Sequence, residues 1–392
     1  MTRSAVQWLA IFLLAVLGAV GCHFRPDASV PPPPPSREPR PLYADVVKDF
    51  RIYEAVYEGF GKDPDRWRTS RDGGELGWEW AHKAMAYLAI FEATGERKWL
   101  DRLMTDFDLV LANRDDRTAT RDQVRDRVMP SWSTSTYSKG QRYAWMVHAG
   151  LITYPMVRIA WLIRRDPNLR PLYGPQAEVW VRRVAETVAA FDGSWRDGPQ
   201  PSEGHYRDDY LRVPLPFNQQ AAMGRTLVMM WLLTGDPAYR HKAARMAAYL
   251  RNRLRPDGDA WVWDYSPETS SPEDISHGGI EVDFAVLCHS LGLVFTDADM
   301  RRFVATFRRC FRPGQGFTRF VNGTGDFAWS WAMTRWLHLA YLDYDVADLY
   351  HRARGLQRGM QQPLSLAYLA EVSRGLPDAT RGARPPPAAG RP

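Results

Sequence analysis

The sequence has few cysteines and few lysines, and each scarcity excludes something. Three cysteines occur in 392 residues. Cys288 and Cys310 fall on two consecutive predicted helices that turn near Thr296-Asp297. One lies about eight residues before the turn and the other about fourteen after it, so at 1.5 Å per residue they miss each other by roughly 9 Å. A disulfide tolerates a Cα separation of about 7 Å, so both are expected to be buried free thiols. No Cys/His ligand spacing of a zinc site occurs, and neither a metal nor a cofactor is expected. Lysine supplies only six of the 51 basic residues, and the formal charge of +6 is spread without a polybasic run. That pattern argues against nucleic acid. It suits an acidic small molecule or polymer, because arginine's planar fork grips carboxylates at two points. The 29 glycines and 29 prolines show no collagen-like period, and a 45% hydrophobic content excludes a mostly disordered chain. The length allows one large domain or two average ones.

The one continuous apolar run, Trp8 to Val20, follows Arg3 and ends at Gly21-Cys22. It is too short to span a bilayer comfortably and has the layout of a secretory signal. Ala19-Val20-Gly21-Cys22 resembles a bacterial lipobox, with Ala19 where leucine is usual. The resemblance implies cleavage before Cys22 and lipidation of its sulfur and new amine. Residues 1–21 are therefore expected to be a lipoprotein signal peptide. Residues 22–41, with Pro26, Pro31 to Pro35, Pro39 and Pro41, should be an extended polyproline tether. Residues 42–374 should be the folded domain, and 375–392 a disordered tail rich in Pro, Gly, Ala and Arg. The expected location is outside the cytoplasm, with a lipid as the only membrane attachment, on the periplasmic side or at the cell surface.

Almost all hydrophobic periodicity in 42–374 is helical. Leu100, Leu103, Met104, Phe107 and Leu111 share one face. So do Val181, Val184, Val188 and Phe191, then Tyr239, Ala243, Met246 and Leu250, then Met300, Phe303, Phe307 and Phe311. Each of these amphipathic stretches follows one that is apolar all round and so predicted to be buried. The apolar stretches are Ala84–Phe91, Ala144–Ile163 (with a kink expected at Pro155), Ala221–Leu233, Asp283–Val294 and Phe327–Leu342. Thr94-Gly95-Glu96 and Thr234-Gly235-Asp236 mark tight turns between partners. Five hairpins result, and Leu42–Phe60 with Leu364–Arg374 could supply a sixth by closing a ring. The expected fold is all-α, an (α/α) toroid of about six helical hairpins with inner and outer rings. An open solenoid is disfavoured because the hairpins lack a regular period.

The chemically unusual residues gather where the chain enters the buried helices. They are Trp78, Glu79, Trp80 and His82; Tyr137 and Tyr143; Asn218 and Gln219; Trp263, Tyr265, Glu273, Asp274, Ser276 and His277; and Trp329. In a toroid these connectors share one end and would line one cleft. Simpler roles exist for each: Asp274 or Ser276 as a helix cap, His277 and Asn218 as satisfied turn residues, the tryptophans as core.

Leu215-Pro216-Phe217-Asn218-Gln219-Gln220 followed by an inner helix, with Glu273-Asp274-Ile275-Ser276-His277-Gly278, resembles the (α/α)-toroid polysaccharide lyases of alginate, glucuronan and chondroitin type. The resemblance covers roughly Trp78 to Tyr344. It implies β-elimination from a uronic-acid polymer, with Asn218 and His277 holding the substrate carboxylate as preorganised donors hold any oxyanion. It also implies a tyrosine proton shuttle, with Tyr265 the first choice and Tyr137 and Tyr143 next, and an arginine such as Arg335 to favour the phenolate. Trp78, Trp80, His82, Tyr137, Tyr143, Gln219, Trp263, Glu273, Asp274, Glu281 and Trp329 would bind substrate. The alternatives are a glycoside hydrolase using two carboxyls from among Glu79, Glu273, Asp274, Glu281 and Asp283, a uronate epimerase, and a non-catalytic glycan-binding surface lipoprotein. The expected partner is an acidic polysaccharide or oligosaccharide.

The Cys22 motif makes a direct prediction. Cys22→Ala should move the protein from the membrane to the soluble fraction of exported material with its thermal melting unchanged; cytoplasmic localisation of the unaltered protein would overturn the reading.

Overall fold

The computed structural model describes residues 38–59, 69–353, 362–375 and 378–386. The predicted signal peptide, Cys22 and most of the proline tether lie outside the described residues. Helices alternate between two rings. The outer helices are α1 (Leu42–Gly59), α3 (Arg97–Ala112), α5 (Arg170–Ala189), α7 (Pro237–Arg251), α9 (Asp297–Cys310) and α10 (Asp345–Ala353). The inner ones are α2 (Ala81–Thr94), α4 (Met146–Arg165), α6 (Phe217–Thr234), α8 (Ile275–Ser290), a 3₁₀ helix Ser330–Tyr341, and α11 (Gln362–Ser373). Each inner helix packs on the next, and α11 packs back on α2, which closes the ring; α1 covers α11. The chain is therefore an (α/α) toroid, with its sixth hairpin made from the first and last helices.

Local sequence explains the corners. Gly95 and Gly235 adopt φ of +71° and end α2 and α6 in left-handed caps, a conformation that glycine takes without steric cost. Thr296 and Asp299 form a reciprocal capping box at the start of α9. Inner helices approach closely where side chains are small. A Cβ added at Gly150 would lie 2.5 Å from Ala222 backbone, and Thr153 and Thr226 bridge the same seam at 3.0 Å. Helix α4 is long and apolar enough to cross a membrane, yet nearly all of it is buried inside the ring. Pro155 sits within it without ending it. Cys288 and Cys310 are buried and free.

Three expectations differ from the structure. The periodicity is almost wholly helical, but four successive outer-to-inner connectors each carry a small antiparallel hairpin. These are Arg121–Asp122 with Arg127–Val128, Trp195–Asp197 with Gly204–Tyr206, Arg255–Asp257 with Ala260–Val262, and Phe311–Arg312 with Gly316–Phe317. Second, α8 begins at Ile275 and not near Asp283. Its polar first turn hid its start from a search for apolar runs. Third, residues 378–386, expected in a disordered tail, pack against the ring. Asp378 caps Thr380, Thr380 bonds Ser290 at 2.9 Å, and Arg165 donates to the Ala379 carbonyl.

The middle of the ring holds a buried circuit of charge to which all six inner helices contribute. Arg225 of α6 bonds Asp283 of α8, and Asp283 bonds His338 of the 3₁₀ helix at 2.5 Å. His338 faces Glu371 of α11 at 3.6 Å, and Glu371 also accepts from Tyr341 at 2.6 Å. Arg158 of α4 reaches Glu371 at 3.5 Å and pairs with Glu92 of α2 through two bonds of 2.8 and 3.0 Å. Tyr154 closes the circuit, bonding Arg158 at 3.4 Å and lying 4.5 Å beneath the Arg225 guanidinium.

Removing one member of such a circuit strands its partners in low dielectric, a loss of about 3–5 kcal/mol. Asp283→Asn should therefore lower the melting temperature sharply. Arg255→Ala, which breaks an exposed pair with Asp264, should cost under about 1 kcal/mol. The pH dependence has two limbs. Burial opposes a charge on His338, but Asp283 and Glu371 lift its pKa to about 10. Its contribution is complete below the free imidazole value near 6.5 and fades as pH rises through 10. Asp283, against its own burial, is held well below the carboxylate range by His338 and Arg225. Its contribution is lost in acid. Melting temperature measured against pH should form a plateau falling at both ends, and His338→Gln should remove the alkaline fall.

Candidate functional site

A cavity of about 820 Å³ opens at one end of the ring. The first turns of the inner helices build it: His82 of α2, His148 of α4, Asn218 and Gln219 of α6, Ser276 and His277 of α8, Trp331 of the 3₁₀ helix, and Pro363 and Leu364 of α11. All six N-termini therefore point to the same end. Ahead of α2 the chain winds as a π-helix, Leu76–Trp80, a distortion common at functional sites. It turns the consecutive residues Trp78 and Glu79 into the cavity.

His277 is the best-defined polar group. Its Nδ1 lies 2.7 Å from Asp274 Oδ2, while Asp274 Oδ1 accepts from the Ser276 and His277 backbone N–H groups and caps α8. The capping role and the functional role thus share one carboxylate. With Nδ1 committed, Nε2 is the nitrogen left for a ligand, and the side chain is 31% exposed. Burial favours the neutral ring, but the Asp274 hydrogen bond and the charges of Asp274 and Glu273 raise the His277 pKa above its ordinary value, with Arg335 opposing. Burial likewise lifts the Asp274 carboxyl, but His277 and the two N–H groups bring it below the usual range.

Rings continue from this dyad along the wall. Tyr265 packs 5.4 Å from His277, and Trp78 lies 6.1 Å from His277 and 6.0 Å from His148. Tyr137 lies 5.8 Å from His148 and 6.3 Å from Trp145. Trp329 and Trp331 form a second pair at 5.4 Å. Burial pushes the His148 pKa down to about 4, so this ring is neutral. Asn218 Oδ1 and Gln219 Oε1 are buried without a hydrogen-bond partner. Buried polar atoms are nearly always paired, so these two invite donors from a ligand.

Among the predicted residues, the cavity gathers Asn218, His277, Tyr265, Trp78, His82, Tyr137, Gln219, Asp274 and Trp329. Others do not line it. Arg335 is buried and donates to His82 Nε2 at 2.8 Å. Burial and the nearby Arg225 lower its pKa to about 10. Its charge is not among those that shift Tyr265. Burial and the charges of Glu273, Glu281 and Asp274 instead raise Tyr265 to about 12. Trp80 packs edge-on to Phe107 in the inter-ring core. Tyr143 is buried and bonds Asp208 and Arg125, which fixes the loop before α6. Trp263 is core, donating to Glu281. Glu273 and Glu281 lie beneath the dyad, fully buried.

Sequence reasoning missed His148, Lys83, Trp145, Asp208 and Arg319 as lining residues. His148 occupies the third position of its inner helix, as His277 does, so a comparison of first turns could have found it. Glu273, Asp274 and His277 bring ligand atoms within 4.8 Å of one another, but these atoms are already committed. Asp274 Oδ2 holds His277, and Glu273 Oε1 accepts the Asp274 N–H at 2.8 Å. The set is a hydrogen-bonded chain and does not fit a metal.

No family model and no curated protein sequence matches the chain. Solved structures do. A glycosyl hydrolase family 88 protein from Bacteroides vulgatus aligns with a TM-score of 0.51 at 11% identity, covering 85% of this chain and 98% of that one. An inactive variant of an α-1,6-mannanase of Salegentibacter sp. HEL1_6, in complex with α-1,6-mannotetrose, aligns at 0.49 and 12%, covering 85% and 98%. At such identity the likeness to the family 88 protein concerns the fold, which is the same (α/α) toroid.

The dyad can be tested directly. Asp274→Asn keeps a helix-capping side chain but removes the charge, so burial should then prevail. The His277 titration followed by NMR should move from above the ordinary imidazole value to below it, with little change in melting temperature.

Proposed function

We propose that the protein is a carbohydrate-active enzyme of the hydrolytic kind, cleaving a glycan bound along the aromatic wall of the cavity. The observation that carries this reading is the pairing, in one cavity, of aromatic faces with unsatisfied buried amides and proton-transfer groups. Sugar rings stack on Trp78, Tyr137, Trp145 and Trp329, and sugar hydroxyls can donate to Asn218 Oδ1 and Gln219 Oε1. The lining charges favour a neutral glycan over the acidic polymer expected from composition. Among the described lining residues, Glu54, Glu79, Asp208, Glu268 and Asp274 outnumber the fixed cations Lys83 and Arg319.

His277, charged through Asp274, offers a proton from Nε2 to a leaving oxygen. Glu79 and His277 line the same cavity as Trp78, whose ring lies 6.1 Å from His277. Glu79 supplies the carboxylate that an oxocarbenium-like transition state requires. Asp274, with both oxygens occupied, holds the imidazole and does not attack.

A second reading, β-elimination from a uronate, is favoured by one observation: Asn218 and His277 line the same cavity, as carboxylate-gripping residues must. Tyr265 does not help it, because its pKa is raised. In this reading His277 itself would take the C5 proton.

A panel of neutral and acidic glycans separates these readings. Hydrolysis releases reducing ends without a new ultraviolet chromophore, whereas elimination produces a conjugated double bond. Release of reducing ends from neutral glycans is expected, with Glu79→Gln and His277→Gln each lowering turnover by about 10²–10⁴ at unchanged melting temperature. Chromophore formation on acidic glycans alone would replace hydrolysis with elimination.

A further inference from the structure

Beneath His277 lie two carboxyl groups that the reaction does not touch. Glu273 and Glu281 are both sealed from solvent and close enough to bear on each other's ionisation. Their outer oxygens are accounted for: Glu273 Oε1 accepts the Asp274 N–H at 2.8 Å, and Glu281 Oε2 accepts the Trp263 indole N–H. The remaining oxygens, Glu273 Oε2 and Glu281 Oε1, are buried with no hydrogen-bond partner in the structure, so a proton placed between them would answer both. Two carboxylates cannot bond each other without a proton, since both are acceptors when ionised. Neither can move away. Glu273 is pinned through its backbone N–H to Trp263 and its carbonyl to Val321, each at 3.0 Å, and its side chain is packed so closely at Gly278 that a Cβ there would lie 3.4 Å from Glu273 and 3.2 Å from Trp263. Glu273 Oε1 lies 4.0 Å from His277 Nδ1.

We infer that Glu273 and Glu281 share a retained proton at neutral pH, and that this pair is a positioning device which sets how readily His277 gives up its own proton. With the proton between them, Glu273 carries only part of a negative charge toward the imidazole. His277 then holds its proton through Asp274 but can still release it. Were Glu273 fully ionised, two carboxylates would face one imidazolium. The groups around His277 are Asp274 and Glu273 at the head of α8, Glu281 two turns on, Tyr265 from the connector before α8 and Arg335 from the 3₁₀ helix. Among these, Glu273 is the one whose charge depends on a partner outside the cavity. Burial, together with the mutual repulsion of the two groups, raises the Glu273 pKa well above the carboxylate range, and burial raises that of Glu281 as well. This inference uses the proposed function only for its consequence in turnover; the proton and its effect on His277 are measurable without a substrate.

Two isosteric variants should act in opposite directions. In Glu281→Gln the amide can keep the Trp263 bond and donate to Glu273, which then ionises. The His277 pKa measured by NMR should rise by about one unit, the lower end of what a nearby opposite charge produces. In Glu273→Gln the charge beside Nδ1 is gone and the His277 pKa should fall. If both variants leave the His277 titration in place, or both move it in the same direction, the inference fails. Infrared difference spectroscopy of the unaltered protein gives a reading that does not depend on the variants folding. A protonated-carboxyl stretch should be present at pH 7 and diminish on titration into the alkaline range, whereas its absence at pH 7 would overturn the proposal. Loss of turnover with an unshifted His277 titration would count against the pair and leave the hydrolytic reading standing.

Discussion

The structure depends on one constraint: six helices must present charged side chains to a common interior without leaving any charge alone. Glu92, Arg158, Arg225, Asp283, His338 and Glu371 come one from each inner helix, and each member has at least one opposite charge or ring beside it. A buried circuit of this kind does little for stability compared with a well-packed apolar core. What it supplies is specificity. Sliding one inner helix by a turn would break two contacts and strand at least one charge, so the circuit fixes the register of every inner helix at once. Helix register in turn determines which residues reach the ring's open end.

That dependence explains how the cavity is built. Asn218 lies seven residues before Arg225, and His277 lies six before Asp283, which places the circuit about 9–11 Å below the first turns at 1.5 Å per residue. Arg335 of the 3₁₀ helix, bonded to His82 in the first turn of α2, ties the cavity end to the core beneath it. The positive ends of inner-helix dipoles converge on the cavity. They help to keep Asp274 ionised and make a wall with more carboxylates than fixed cations tolerable.

Much of the ring was legible in the sequence because its code is plain. Inner helices are apolar all round, outer helices are apolar on one face, and Thr-Gly-acid marks the corner. The helix starts were less legible for a physical reason. The first turns of α6 and α8 carry Asn218, Gln219, Ser276 and His277, polar residues that interrupt the apolar pattern because they face the cavity. A reading that waits for the apolar run therefore places helix and site side by side, whereas in the structure the site is the first turn of the helix. Arg335 shows the reverse error. A charged residue in an apolar helix invites a functional role, but only the partner, His82 on a helix 253 positions away in sequence, shows that it is held in the core. Trp80 and Trp263 could not be told from Trp78 and Trp329 by type, since all four lie near connectors and only packing sorts those that fill the core from those that face the opening.

The two levels also divide the work of a titrating protein. A group that must gain and lose protons in a cavity needs a neighbourhood whose own charge stays fixed, or its affinity for protons would drift with theirs. Within the circuit, His338 is pushed up to about 10 and Asp283 is held well below the carboxylate range, so neither changes charge near pH 7. His82 and His148 are held neutral, by burial and, for His82, by the Arg335 charge as well. Of the histidines that reach the cavity, only His277 is both partly exposed and paired with a carboxylate. Among the described histidines, proton exchange in the cavity therefore falls to His277 at the head of α8, where polar atoms of Glu273, Asp274 and His277 lie within 4.8 Å of one another.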